Sequence, residues 1–154
     1  MRLSTRGHYA VMALIDLARQ GRDKPVALAL IAERQELSVH YLEQLFLRLR
    51  RQNLVKSVRG QSGGYVLARP ASEMTIAEII EAAEEEVKTT RCKVGGGKSC
   101  QGKSEPCLTH HLWHGLGTVI DTYLKGISLE DVAEGRLRAQ TSGCVSPEAE
   151  VHVA

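Results

Sequence analysis

A chain of 154 residues is long enough for one ordinary domain or for a small domain with an appendage. With 43% hydrophobic and only 4% aromatic residues its core must be aliphatic, and no apolar run is long enough for a membrane-spanning helix. The formal net charge of +2 hides an asymmetry: residues 1–70 hold 12 Lys+Arg against 5 Asp+Glu, a net of +7, and residues 71–154 hold 8 against 13, a net of −5. A basic N-terminal half points to a polyanion partner, most simply nucleic acid. The opening MRLSTRGHYAVM lacks the order of a secretory signal, so a cytoplasmic location is expected, where thiols stay reduced.

Ser4 is placed to cap a first helix that runs to about Gln20. Tyr9, Ala13, Leu14, Leu17 and Ala18 form its apolar stripe, and Gly21 stops it. A second helix is expected from Val26 to Arg34, with Leu28, Ile31 and Ala32 inward. Gln35-Glu36-Leu37 is a brief connection, and Ser38 caps a third helix whose stripe is Leu42, Leu45, Phe46 and Leu49. Two short helices so joined fit a helix-turn-helix, although an ordinary helical hairpin would show the same spacing.

The next stretch shifts the balance toward the first. Leu54 to Val58 and Tyr65 to Ala68 read as strands, and Arg59-Gly60-Gln61-Ser62-Gly63-Gly64 between them is too glycine-rich for anything but a turn. A hairpin directly after a third helix makes a winged helix-turn-helix. Arg59 stands at the root of the wing, and an arginine there can enter a narrow minor groove.

The third helix should read DNA. His40, Glu43 and Gln44 lie opposite its apolar stripe; Gln can pair with adenine, and Glu can accept from cytosine N4. Glu43 repels phosphates, so on a DNA-facing surface it discriminates rather than adding affinity. Arg48, Arg50 and Arg51 fit phosphate contacts, and arginines near a helix C-terminus also satisfy its dipole.

Thr75-Ile76-Ala77-Glu78 is a capping box that opens a helix with Ile76, Ile79, Ile80 and Ala83 inward. Residues 91–114 come next, RCKVGGGKSCQGKSEPCLTHHLWH, with Cys92, Cys100 and Cys107 separated by Gly, Lys and Ser, which cannot pack a core. Soft thiolates with an imidazole suit zinc, copper(I) or an iron–sulfur cluster. Structural zinc usually shows a closer Cys pair, and loop cysteines also occur unligated or as redox thiols. Ser104-Glu105-Pro106 signals a helix start, with Cys107 in its first turn and His110 and His111 one turn on.

That helix should run from about Glu105 to Lys125, with Leu108, Leu112, Leu116, Val119, Tyr123 and Leu124 apolar. Near-heptad spacing outside the small domain suggests a dimer seam, although packing on its own subunit would give the same period. Gly126 stops it and Ser128 caps a short helix. The expected organisation is a winged helix-turn-helix domain over 1–70 and a second region over 71–137, which carries the linker helix, the cysteine segment and the dimerisation helix. A flexible tail that includes Cys144 is expected over 138–154. The fold class is mainly α with a small β wing. No Cys-x-x-Cys pair or substrate-pocket signal supports a thiol oxidoreductase.

Four stretches carry a resemblance: MRLSTRGHYAVMALIDLA, SVHYLEQLFLRLR, SVRGQSGGYVLAR and TRCKVGGGKSCQGKSEPCLTHHLW, in order over about residues 1–135. Together they resemble the bacterial iron–sulfur cluster regulators of the IscR type. The resemblance implies a homodimeric winged-helix transcription regulator, acting as repressor or activator on genes for iron–sulfur cluster assembly, with a [2Fe–2S] cluster on Cys92, Cys100, Cys107 and His110. It also places DNA reading on the 40–44 turn, which holds His40, Tyr41, Glu43 and Gln44, and on Arg59. The gaps between cysteines are longer than is usual in the family, and His40 stands where a small polar residue is common. Sister families that respond to nitric oxide or iron, some with a [4Fe–4S] cluster, share the framework.

Overall fold

The computed structural model describes residues 5–21, 24–83 and 109–139, without the side chains of residues 110, 138 and 139. Three helices come first: α1 (Thr5–Gln20), α2 (Leu28–Gln35) and α3 (Val39–Arg51). The hairpin of β1 (Val55–Val58) and β2 (Gly64–Leu67) is next, then α4 (Ile76–Ala83), α5 (His110–Lys125) and α6 (Leu129–Ala133). Short 3-10 turns lie at Ala71–Glu73 and Arg136–Ala139.

Caps and apolar periods set these elements. The α3 N-cap Ser38 accepts from the Tyr41 N–H at 3.1 Å, and Leu42, Leu45, Phe46 and Leu49 are all buried, as the stripe requires. At α4 the Thr75–Glu78 box closes both ways: the Glu78 N–H donates to Thr75 Oγ1 at 3.2 Å, and the Thr75 N–H donates to Glu78 Oε2 at 2.9 Å. That bond, with Arg69 beside it, holds the Glu78 carboxyl below the usual carboxylate range, against the opposing effect of burial. Ser128 and Asp131 make the same box at α6.

The second helix starts two residues later than its apolar pattern predicts. Val26 does not join it but forms a β-bridge with Tyr65, donating to the Tyr65 carbonyl at 3.0 Å and accepting from its N–H at 2.8 Å. Val26 thereby ties the chain before α2 to the hairpin through an isolated antiparallel bridge. The β-branched side chain of Val26 suits this extended backbone. Gly64 allows the approach, because a Cβ there would lie 2.4 Å from the Val26 carbonyl oxygen.

One core unites residues on both sides of residue 70: Leu14, Leu17, Ile31, Leu42, Phe46, Leu49, Leu54, Met74, Ile79 and Leu129. Helix α1 packs on α4 and α6, α3 packs on α2 and α4, and α5 rests on α4. The segment before α4 is tied to the α5–α6 connection by Ile76 N–H to Ile127 O at 2.9 Å and Leu129 N–H to Met74 O at 2.8 Å.

Candidate nucleic-acid interface

Burying Leu42, Leu45, Phe46 and Leu49 turns the opposite side of α3 to solvent. His40, Glu43, Gln44 and Arg51 recur there at three-, four- and seven-residue steps, and all four are exposed. His40 Nδ1 lies 3.8 Å from Glu43 Oε2. Arg50 is exposed as well, so the C-terminal turn of α3 offers two cations to the surrounding solvent.

The wing pairs β1 with β2 antiparallel, Val55 opposite Leu67 and Val58 opposite Gly64. Arg59 comes directly after Val58 and is exposed. Gly60 turns the chain at φ 119°, and its carbonyl accepts from the Gly63 N–H at 3.0 Å. The Phe46 and Tyr65 rings meet edge-on at 4.9 Å between centroids, which fixes the wing against α3. Lys56 on β1 is an exposed cation that the sequence reading passed over, although strand alternation with buried Val55 would have found it.

Two residues of the expected set are turned elsewhere. The Tyr41 ring packs edge-on against Tyr9 of α1 at 5.8 Å, and its hydroxyl is buried with no hydrogen-bond partner. Burial pushes that phenol up, and Arg6 partly offsets it. Arg48 is half-buried and its Nη1 donates to the Ala83 carbonyl at 3.4 Å, at the C-terminus of α4. A further contact has no counterpart in the sequence reading: Arg34 Nε and Nη2 donate to Asp16 Oδ1 and Oδ2 at 3.0 and 2.7 Å. Asp16 is buried in α1, so this fork holds α2 on α1 and sets the platform for α3. The hydrogen bond to Asp16 raises the Arg34 guanidinium above its ordinary value.

Cys92, Cys100, Cys107 and Cys144 lie outside the described residues, as do Ser4, Glu105 and Leu108. Helix α5 begins at His110, with Thr109 as its N-cap residue at φ −92° and ψ 1°. The expected start near Glu105, with Cys107 in the first turn, lies outside the described residues. Among the described residues, no group of three or more His, Cys, Asp and Glu side chains is placed to hold a metal.

Along α5, Leu112, Leu116, Val119 and Tyr123 are exposed while Leu124 is half-buried. Trp113 is also exposed and widens the apolar face beyond the expected stripe. No described helix is long and apolar enough to cross a membrane.

Residues 3–135 match the model of the Rrf2 family, described as iron-dependent transcriptional regulators. The chain is 49% identical over 136 residues to the HTH-type transcriptional regulator IscR of Photorhabdus laumondii subsp. laumondii, covering 88% of this chain and 81% of the relative. Among solved structures it is similar to T. potens IscR, with 36% identity, a TM-score of 0.71, and coverage of 95% of this chain and 93% of that one. It is also similar to CymR, titled the global cysteine regulator of B. subtilis, with 33% identity, a TM-score of 0.73, and coverage of 87% and 97%. The resemblance to the IscR type and the winged-helix fold both stand on these matches.

Proposed function

Because the chain belongs to the Rrf2 family of transcriptional regulators, we propose that it binds operator DNA as a homodimer and holds a [2Fe–2S] cluster through which it controls genes for iron–sulfur cluster assembly. It is a DNA-binding regulator and not an enzyme. The observation that carries the DNA reading is the exposed side of α3, with His40, Glu43, Gln44 and Arg51, in the same winged helix as exposed Arg59. Phosphate attraction from Arg50, Arg51, Lys56 and Arg59 positions the protein, and Gln44 and Glu43 supply base-edge contacts. Tyr41 and Arg48 serve by holding α3 against α1 and α4.

The donor set fits the cluster: three soft thiolates, Cys92, Cys100 and Cys107, with the imidazole of His110. When bound, the cluster supplies a redox- and iron-sensitive crosslink. These four residues would tie the segment between α4 and α5 together. Arg48 of α3 holds the Ala83 carbonyl at the last described turn before that segment, so the segment's arrangement can bias α3. Cluster and DNA must then change each other's affinity by the same factor.

Dimerisation is assigned to α5, whose exposed Leu112, Leu116, Val119 and Tyr123 would be buried against a second copy. A twofold dimer presents two α3 helices to half-sites about one DNA turn apart. The cytoplasm, where thiols stay reduced, is the compartment that suits this chemistry. Full-length protein isolated without oxygen should therefore enrich a small set of two-half-site sequences from a random duplex library. Enrichment of no duplex over the starting library would contradict the reading.

A further inference from the structure

Helix α5 has two distinct rows. Leu112, Leu116, Val119 and Tyr123 are exposed and form the proposed seam. Gly117, Ile120 and Leu124 recur at three- and four-residue steps and are half-buried, on the side that rests on α4. Trp113 extends that second row, four residues before Gly117, yet it is 48% exposed. We propose that Trp113 is an apolar wall of the cluster site: residues 84–108 pack on its indole, which shields the His110 end of the bound cluster from solvent. The role rests on the cluster proposed for Cys92, Cys100, Cys107 and His110.

Helix lengths explain why the row is uncovered at this end. Helix α4 starts beside the end of α5, since the Ile76 N–H donates to the Ile127 carbonyl at 2.9 Å. It has 8 residues against 16 in α5, so about 12 Å of α4 meets about 24 Å of α5. Ile120 and Leu124 lie within that reach, and Trp113 lies beyond it. The chain is described to Ala83 at the end of α4 and again from Thr109, four residues before Trp113. Residues 84–108 therefore connect the two chain ends on either side of the indole. Ala83 is fully buried and its carbonyl accepts from Arg48, which fixes the point of departure.

The chemistry of the site calls for such a wall. An apolar shell around a metal group controls its access to solvent. The segment that carries the cysteines surrounds them chiefly with Gly, Lys and Ser, which supply little apolar area. An indole supplies a large one. His110 and Trp113 are three residues apart, about 60° around α5, so both positions lie on one side of the helix. A second copy of the chain is the other candidate to cover the indole. Against it, Trp113 stands about 90° around α5 from the middle of the seam row.

The test uses full-length protein isolated without oxygen, with its loading measured by iron and sulfide assay. Trp113 is the chain's one tryptophan, so indole emission reports this site alone. Emission of the loaded protein should lie to the blue of that of protein stripped by a chelator. The acrylamide quenching constant, corrected for emission lifetime, should rise several-fold on stripping. In air, Trp113→Ala should lose its visible absorbance about tenfold faster than the parent, the scale of losing support around a metal site. Trp113→Phe should stay near the parent. An indole equally open, or equally covered, in loaded and stripped protein overturns the proposal; in the covered case, opening in Val119→Glu assigns the indole to a second copy. Equal bleaching of parent and Trp113→Ala also overturns it. The emission comparison needs no variant, so it decides even where Trp113→Ala takes up no cluster. Absence of iron and sulfide from the parent overturns the cluster reading, and this role with it.

Discussion

Arg59 and Glu43 are both exposed and carry opposite charge, so removing each should affect DNA binding differently. Arg59→Ala takes away a phosphate-seeking cation at the wing. It should weaken binding to all sequences and lower the slope of log affinity against log salt by about one, measured by anisotropy across a salt series. Glu43→Ala removes the proposed discriminating acceptor, and about 1–3 kcal/mol of preference at one base position should disappear. Parental behaviour of both variants would mean that a different surface meets DNA. His110 is tested against its neighbours by single substitution to Ala. His111 falls about 100° around α5 from His110, and His114 lies about four residues further along the axis. Only His110→Ala should lose iron and change the visible spectrum. A normal spectrum there with a lost one in His111→Ala transfers the role. At this scale the sequence was informative for residues whose position comes from the α3 period, His40, Glu43, Gln44 and the buried stripe. It was silent on where long side chains bend. Tyr41 and Arg48 flank the stripe, and only the neighbouring α1 and α4 decide that one ring meets Tyr9 and one guanidinium meets Ala83.

Elements were legible wherever a cap and a period agreed. Ser38, the Thr75–Glu78 box and Ser128 all stand where their helices begin. Ser38→Ala should lower stability by about 1 kcal/mol in denaturant unfolding, the usual cost of losing an N-cap. Glu78 makes a pH prediction. Its folded carboxyl titrates below the ordinary carboxylate range because of the Thr75 N–H, so its stabilisation is present above that range and lost as pH falls through the folded value. Glu78→Gln should flatten the acid limb of a stability–pH profile; an unchanged limb would assign the acid sensitivity to other groups. Boundaries were less legible. Val26 reads as helical from its apolar neighbours, and only the hairpin, through Tyr65 far along the sequence, draws it into a β-bridge. Gly64→Ala tests that recruitment, since its Cβ would collide with the Val26 carbonyl. It should loosen the wing and weaken DNA binding more than it changes helix content by circular dichroism.

At the scale of the whole molecule, local pattern located α5 but left its partner open, because an apolar period does not name the surface that buries it. Leu112, Val119 and Tyr123 are exposed, and the proposed seam would bury them against a second copy. Val119→Glu should convert a dimer to a monomer in sedimentation and abolish tight binding to two-half-site DNA, while the monomer keeps its helical spectrum. A parental sedimentation coefficient would move the seam elsewhere. The single core across residue 70 gives the segment between α4 and α5 a route to α3, since α4 packs on both α3 and α5. That route matters only if the segment holds a cluster. The most direct measurement is the metal and acid-labile sulfide content of freshly isolated anaerobic protein, read with its visible spectrum. The account predicts coloured protein with iron and sulfide in equal amounts, about two of each per chain for a [2Fe–2S] cluster. Colourless protein with stoichiometric zinc and no sulfide would contradict it.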